Sequence, residues 1–291
     1  MVSCRPETLK EALFFLSERP SATIFSGGTD LMVTKKITDS VLFTDRITEM
    51  KELSVRTDET GASFLSVGAA LPYCDLIASG LIPPVMKEVF LNVASPAIRS
   101  RGTMGGNICN ASPAGDTLPM LYALGAVLEL ARLEEGPLGP DIVRRSLPIQ
   151  DFIKGVRRID LLPGELLTGI CLPLKNLSDG TRFYYKKVGA RRAEAISKLS
   201  VFALCRTEDH QIAELQVAFG AVASTVVCPA MPEGLAETRL SDLTAKADDL
   251  TAYYLQEVRP IDDQRSTASY RRKVAENLFR NLLNTFAEND K

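Results

Sequence analysis

The sequence predicts an α+β protein in two parts: a larger N-terminal portion of mixed helices and strands, then a smaller portion of sheet plus helix, with the boundary near 175–180. Three observations carry this expectation. The chain has 291 residues, more than one domain of ordinary size. Its 45% hydrophobic and 24% charged residues are the proportions of a globular chain, not of a disordered or fibrous one. Its texture also changes along the chain. Short apolar runs and glycine turns fill the first part, whereas the second carries longer strand-like runs and ends in an amphipathic helix.

Taken in order, RPETLKEALFFLSERP places Leu9, Ala12, Leu13 and Leu16 on one helical face and stops before Pro20. SATIFSGGTDLMV reads as a short strand, a glycine turn and a second short apolar element, and VLFTDRI (41–47) as a strand. FLSVGAAL (64–71) is a strand, LPYCDLIASG is helical in pattern, and PVMKEVFLNVA (84–94) is a helix ended by Pro96. AVLELARL (126–133) is a strand, and the charged EEGPLGPD after it reads as a loop. ELLTGICLPL and RFYYKKVG are strands around the loop KNLSDGT, and VFALCRTEDHQIAELQVAFGAVA is a hairpin with a polar turn. In STASYRRKVAENLFRNLLNTF, Tyr270, Val274, Leu278 and Leu282 recur at four-residue spacing, and Leu283 and Phe286 broaden the stripe.

Charge and composition exclude several functions. A formal net charge of -2 gives no electrostatic reason to expect nucleic acid or an anionic membrane as partner. The pairs Arg144–Arg145, Arg157–Arg158 and Arg191–Arg192 are short, flanked by acids, and read as solvated surface. Lys10 and Glu11 interrupt the N-terminal apolar stretch, which is too short for a signal peptide. No run approaches the roughly 18 apolar residues of a membrane helix, so the expectation is a soluble, cytoplasmic protein with no membrane partner. Six cysteines, at 4, 74, 109, 171, 205 and 228, form no CxxC or ferredoxin-like run. They read as reduced apolar fillers, and no metal site is expected. The one histidine, His210, falls in the polar turn TEDHQIAEL, a poor place for the base of a Ser-His-Asp or Cys-His mechanism.

Two stretches are suited to holding phosphate: SGGTD (26–30) and TMGGN (103–107). The second lies in SRGTMGGNICNASPAGDTLPML (100–121), where no charge falls between Arg101 and Asp116. Paired glycines let several backbone N–H groups point into one concavity with no Cβ in the way. Thr29 and Thr103 add hydroxyl donors, and a pyrophosphate has oxygens enough for two such loops. Neither stretch is GxGxxG and no GxxxxGK[ST] occurs, which disfavours a Rossmann site and a P-loop. On pattern alone, glycine pairs more often mark ordinary turns than phosphate loops.

The full strings IFSGGTDLMV and, further on, SPAIRSRGTMGGNICNASPAGDTLP resemble the FAD-binding subunits of the molybdenum hydroxylases, the xanthine dehydrogenase and carbon monoxide dehydrogenase superfamily. FYYKKVGARRAEAIS (183–197) is similar to the family's Lys-x-Gly-x-Arg segment, and RSTASYRRKVAENLFRNLL (265–283) to its final helix. The resemblance implies a two-subdomain FAD-binding domain of the vanillyl-alcohol-oxidase (PCMH) type over 1–176, with subdomains of about 1–55 and 56–176. A C-terminal antiparallel sheet-and-helix domain over 177–291 completes it. It implies FAD as the cofactor here, with molybdopterin and [2Fe-2S] clusters only in partner subunits. Electrons would pass from those clusters through FAD to NAD or another acceptor, with xanthine dehydrogenase the foremost case. Subunits acting with carbon monoxide, nicotinate or another aromatic heterocycle are alternatives. Outside the family, so is a flavin-free module that binds a phosphorylated ligand or only scaffolds a complex.

Residue by residue, the resemblance carries Ile24, Phe25, Ser26, Gly27, Gly28, Thr29, Asp30 and Leu31 onto the first FAD loop. It carries Thr103, Met104, Gly105, Gly106 and Asn107 onto the second. Asp116 aligns with a carboxylate that holds a hydroxyl of the FAD ribityl or ribose portion, and Leu167 with an apolar residue against the adenine or flavin rings. Lys187 aligns with a lysine near the flavin, where a cation favours the anionic reduced form. No catalytic residue is implied beyond the flavin itself. Asp116 has a second reading, as cap of the helix begun by TLPMLYALG, and Lys186 rivals Lys187 for the same role. Cys109 reads as a small residue under the loop, not a nucleophile. Ala111, Ser112 and Ala114 are small enough to let the chain lie close to the cofactor.

Overall fold

The structure, a computed structural model, describes residues 2–137, 139–177, 180–191 and 194–288. The chain divides into two units and passes between them repeatedly. One comprises Met1–Ile82, Ser95–Ala111 and Gly125–Pro173, the other Pro83–Ala94, Ser112–Leu124 and Leu174–Lys291. Two short segments, 83–94 and 112–124, thus group with the C-terminal part although they precede residue 176 in the sequence.

In the first unit the helix Leu9–Glu18 forms as its periodicity requires. The Thr8 hydroxyl caps it, accepting from the Glu11 N–H at 3.3 Å, and Leu9, Ala12, Leu13, Phe15 and Leu16 are buried. It packs on Ser40–Phe43, the middle strand of a parallel sheet ordered Val2–Cys4, Ser40–Phe43, Thr23–Phe25. The larger sheet is antiparallel, ordered Leu53–Thr57, Ser63–Gly68, Leu166–Pro173, Val127–Gly136, Gly139–Pro148. Alternate residues of its central strands, Leu65 and Val67, Leu128 and Leu130, Ile170 and Leu172, are fully buried.

EEGPLGPD is not an open loop, because the last two strands stay paired until Gly136 lies opposite Gly139. Gly139–Pro148 is an edge strand, where the missing N–H of Pro140 leaves no neighbouring strand short of a donor. Arg145 on this strand is not solvated surface either. Its guanidinium donates twice to Glu165 at 2.7 Å, to the Asp160 carboxylate at 3.2 Å and to the Asp160 carbonyl at 2.7 Å, and the Glu165 side chain is only 2% exposed.

In the second unit, Arg182–Val188, Leu199–Glu208 and Gln211–Gly220 form an antiparallel sheet in that order. Asp209 and His210 close the expected hairpin with φ of 48° and 64°, the left-handed pair that a two-residue turn demands. The helix Leu118–Ala123 packs on one face of this sheet. The long helix Ala268–Glu288 covers the other, bringing Phe279 to 6.2 Å from Phe219. Its buried line is Arg271, Ala275, Phe279, Leu282 and Phe286, with Leu283. Of the expected stripe, Leu282, Leu283 and Phe286 are buried, Val274 and Leu278 pack partly buried against the core, and Tyr270 alone turns away. A four-residue step overshoots a full turn by about 40°, so that line drifts off the core, whereas steps of mixed three and four stay on it. Tyr270 is 45% exposed and lies under the Lys198 ammonium at 5.4 Å. Among the described residues no helix is long and apolar enough to cross a membrane.

Candidate functional site

The first glycine loop leaves the strand Thr23–Phe25, in which Ile24 and Phe25 pair with Leu42 and Phe43. The Phe25 ring turns back under Gly28, where a Cβ would lie 2.1 Å from a ring carbon and φ is +70°. At Gly27 a Cβ would lie 2.0 Å from the Arg101 carbonyl oxygen. Both glycines are therefore demanded by the protein's own packing. The N–H groups of Gly27, Gly28, Thr29 and Asp30 meet no acceptor among the described residues, and all four residues are half-buried. Consecutive amides left open in this way are available to donate to an anion. Asp30 then precedes the single helical turn Leu31–Thr34.

The second loop is helical from its start. Thr103 caps the helix Met104–Asn110, its hydroxyl accepting from the Gly106 N–H at 3.0 Å. The same hydroxyl shares a hydrogen bond with Ser26 at 3.1 Å, which ties the two loops together. Met104 is fully buried and Asn107 half-buried. Gly105 is buried, donates its N–H to the Ala69 carbonyl at 3.2 Å, and would put a Cβ 2.5 Å from that oxygen. Gly106 is exposed, and a Cβ there would meet only Thr103 Oγ1, at 3.0 Å. The Cys109 thiol is pushed up to about 12 by burial, which removes it as a nucleophile. Leu167 is 3% exposed, on Leu166–Pro173 just before a bulge at Thr168.

Arg157, one of the Arg-Arg pairs expected at the solvated surface, bridges two segments instead. Its guanidinium reaches Asp30 at the end of the first loop and the Asn110 carbonyl at the end of the helix. An Arg-Arg pair near acids carries no signal that distinguishes the bridging residue from its neighbour.

In the second unit, Asp116 lies in a charged, buried cluster. Its Oδ2 accepts from Lys187 Nζ at 2.7 Å and its Oδ1 from Ser197 Oγ at 2.7 Å. Lys187 donates also to the Asn92 carbonyl at 2.7 Å. The Lys187 and Asp116 side chains are only 9% and 12% exposed. Burial raises the Asp116 carboxyl above its ordinary value, with Lys187 and Ser197 opposing. The helix-cap reading of Asp116 is corrected: Thr117 occupies the cap position of Leu118–Ala123, and both Asp116 oxygens are engaged elsewhere. Lys186 alternates outward on its strand and is exposed. Lys198 N–H bonds to the Val188 carbonyl at 2.8 Å, so the segment between them leaves and returns at one point, with Asp116 holding a residue at each end. Ser197 and Asn92 were not foreseen. Within that segment Arg191 donates to the Glu194 carbonyl at 2.7 Å, and Arg192 lies outside the described residues.

Comparison with known proteins places the chain in a family. The family described as the FAD binding domain in molybdopterin dehydrogenase matches residues 1–175, and the CO dehydrogenase flavoprotein C-terminal domain matches 183–286. The glyceraldehyde dehydrogenase medium chain of Sulfolobus acidocaldarius is 29% identical over 275 residues, 93% of this chain and 92% of that protein. The xanthine dehydrogenase FAD-binding subunit of Escherichia coli O157:H7 is 24% identical over 287 residues, 96% of this chain and 93% of that one. In fold, the chain is similar to quinoline 2-oxidoreductase from Pseudomonas putida 86. The TM-score is 0.80 at 20% identity, over 99% of this chain and 97% of that chain. The chain is an oxidoreductase component that belongs to the family of FAD-binding domains of molybdopterin dehydrogenases.

Proposed function

We propose that this chain is the FAD-binding, electron-transferring subunit of a molybdenum hydroxylase, and within that class of a xanthine dehydrogenase. The observation that carries the reading is the run of four open amides at 27–30, tied through Ser26 and Thr103 to the exposed, side-chain-free Gly106. These residues fit a pyrophosphate: the amides take its oxygens, the hydroxyls hold the two loops in register, and Gly106 leaves room for close approach. Ile24, Phe25, Leu31 and Asn107 would complete the walls, whereas Met104 and Leu167, 0% and 3% exposed, present no surface to a ligand and serve the packing beneath. In the second unit the resemblance implies a cation for the flavin at Lys187 and an acceptor for a ribityl or ribose hydroxyl at Asp116; here the two side chains are paired with each other, and FAD would have to compete for them.

Bound FAD would supply the exchange between single electrons from iron–sulfur clusters and a hydride delivered to NAD or another acceptor. An iron–sulfur subunit and a molybdopterin subunit are the proposed partners, and substrate oxidation belongs to the latter. The E. coli relative supports xanthine as substrate, and the more similar glyceraldehyde dehydrogenase medium chain favours aldehydes as the second reading. The purified chain, as isolated or after incubation with FAD, should be yellow and carry flavin through gel filtration. A colourless chain that takes up no FAD would overturn the reading. The complex with its partners should reduce NAD with xanthine. Turnover of aldehydes but not xanthine would move the assignment to the second substrate class.

A further inference from the structure

We propose that Arg157 is a positioning residue for the phosphate cradle: it locks the first glycine loop to the end of the helix Met104–Asn110 and cancels the Asp30 carboxylate beside the open amides. The inference rests on the proposed FAD reading. Arg157 sits in the turn between the short strands Ile153–Gly155 and Arg158–Ile159 with φ of +57°. Glycine or asparagine would hold that left-handed backbone with less strain, so the conformation does not account for an arginine there. Its contacts do.

The Arg157 N–H donates to the Ala111 carbonyl at 3.0 Å, where the helix ends in a left-handed residue. One arm of the guanidinium, Nη1, donates to Asp30 Oδ2 at 2.9 Å and to the Asn110 carbonyl at 3.4 Å, and Nη2 donates to Asp30 Oδ1 at 3.4 Å. One residue therefore joins positions 30, 110 and 111. Only a planar fork can meet both carboxylate oxygens while also reaching a carbonyl.

As a contribution to stability this pair is minor. The two side chains are 48% and 44% exposed, and ion pairs of that kind are strongly screened. Its effect on an anionic ligand is different in kind. Asp30 closes the row of amides at 27–30, so a phosphate held there has a carboxylate as its chain neighbour. Uncompensated, that charge repels the ligand; paired with Arg157, it serves to fix the loop and its repulsion is masked.

The test uses the full chain, with Arg157→Ala, Arg157→Lys and the double variant Arg157→Ala/Asp30→Asn. FAD is titrated by flavin fluorescence at low and high ionic strength, beside thermal melts of the FAD-free proteins. Arg157→Ala should weaken FAD binding about tenfold at low salt, with the deficit relative to wild type shrinking as salt screens the bared carboxylate. Adding Asp30→Asn should recover most of the loss, and Arg157→Lys should fall between. The melts of the FAD-free proteins should barely move. The inference is overturned by unchanged affinity in Arg157→Ala, or by a loss that salt and Asp30→Asn both leave untouched, which a merely structural defect would give. If wild type itself takes up no FAD, the functional reading fails and this inference with it; wild-type uptake with an indifferent Arg157→Ala sinks this inference alone.

Discussion

The two glycine pairs look alike in the sequence and differ in what their backbones do. At Gly27–Gly28 the N–H groups are open and the missing side chains make room for Arg101 and Phe25. At Gly105–Gly106 both N–H groups are engaged, by the Ala69 carbonyl and the Thr103 hydroxyl, and the pair opens a helix. The lesson is one of hydrogen-bond accounting. A glycine pair marks a bare backbone, but only the pair whose amides lack internal acceptors has anything to offer an anion. The first loop is the donor surface. The second supplies the frame and one exposed face at Gly106.

The strongest way to break this comparison is to put a β-branched residue where packing forbids any Cβ. Gly27→Val and Gly105→Val place new atoms 2.0 Å and 2.5 Å from the backbone oxygens of Arg101 and Ala69. Each should lose more than about 3 kcal/mol or fail to fold, since backbone cannot yield as a flexible side chain can. Denaturant unfolding measures this. Either variant melting like wild type would show that the loops have room the structure does not indicate.

Next in size are the effects in the charged cluster, whose buried ion pair contrasts with the exposed Asp30–Arg157 pair beside the cradle. Asp116→Ala strands the Lys187 ammonium in a buried site and should cost about 2–4 kcal/mol. Lys187→Met should cost less, because the carboxyl left behind can escape its burial by taking a proton. With the lysine gone nothing but Ser197 opposes the upward push of burial on Asp116. The folded state then keeps a proton that the unfolded chain releases above its ordinary value of 3.8. The contribution of this carboxyl to stability is therefore greatest at low pH and falls as pH rises from that value through the raised folded one. Lys187→Met should be less damaging at about pH 5 than at about pH 8, and adding Asp116→Asn should flatten the difference. A cost that grows toward acid would contradict the sign.

Smaller again is the tie between the loops. Thr103→Ala removes both the cap on Gly106 N–H and the bond to Ser26, and should cost about 1 kcal/mol. Ser26→Ala removes only the second and should cost roughly half as much. Equal losses in thermal melts would mean that the cap contributes nothing.

How much of this was legible in the sequence follows from the range of the interactions. The helix Leu9–Glu18, the hairpin at Asp209–His210 and both glycine stretches announce themselves through local periodicity or turn chemistry, which is where sequence signals live. The strand Gly139–Pro148 was hidden behind a Gly/Pro-rich turn that only its edge position makes tolerable. The face of the last helix is legible except in its first turn, since a spacing of four and the mixed spacing share Leu282 and Phe286 and part toward Tyr270. Arg157, Ser197 and Asn92 were out of reach for another reason. Each matters through a partner 81 to 127 residues away, or 95 in the case of Asn92, and nothing in the residue types foretells that pairing.

The smallest expected change in stability is also the one that separates ligand from packing most cleanly. At Gly106 an added Cβ meets only Thr103 Oγ1, at 3.0 Å, so Gly106→Ala asks a hydroxyl to give by a few tenths of an ångström. Against that strain, alanine gains up to about 1 kcal/mol over glycine inside a helix. The two effects nearly cancel, and the thermal melt should stay close to wild type. FAD binding has no such compensation. If the bare face of Gly106 is where the pyrophosphate approaches, a methyl group there should weaken binding by about tenfold, or some 1.4 kcal/mol, while Gly106→Ala keeps its N–H on the Thr103 cap. Flavin titration of the variant beside its melt decides the matter. An unchanged melt with unchanged FAD affinity would confine the ligand to the first loop and leave the second as frame alone.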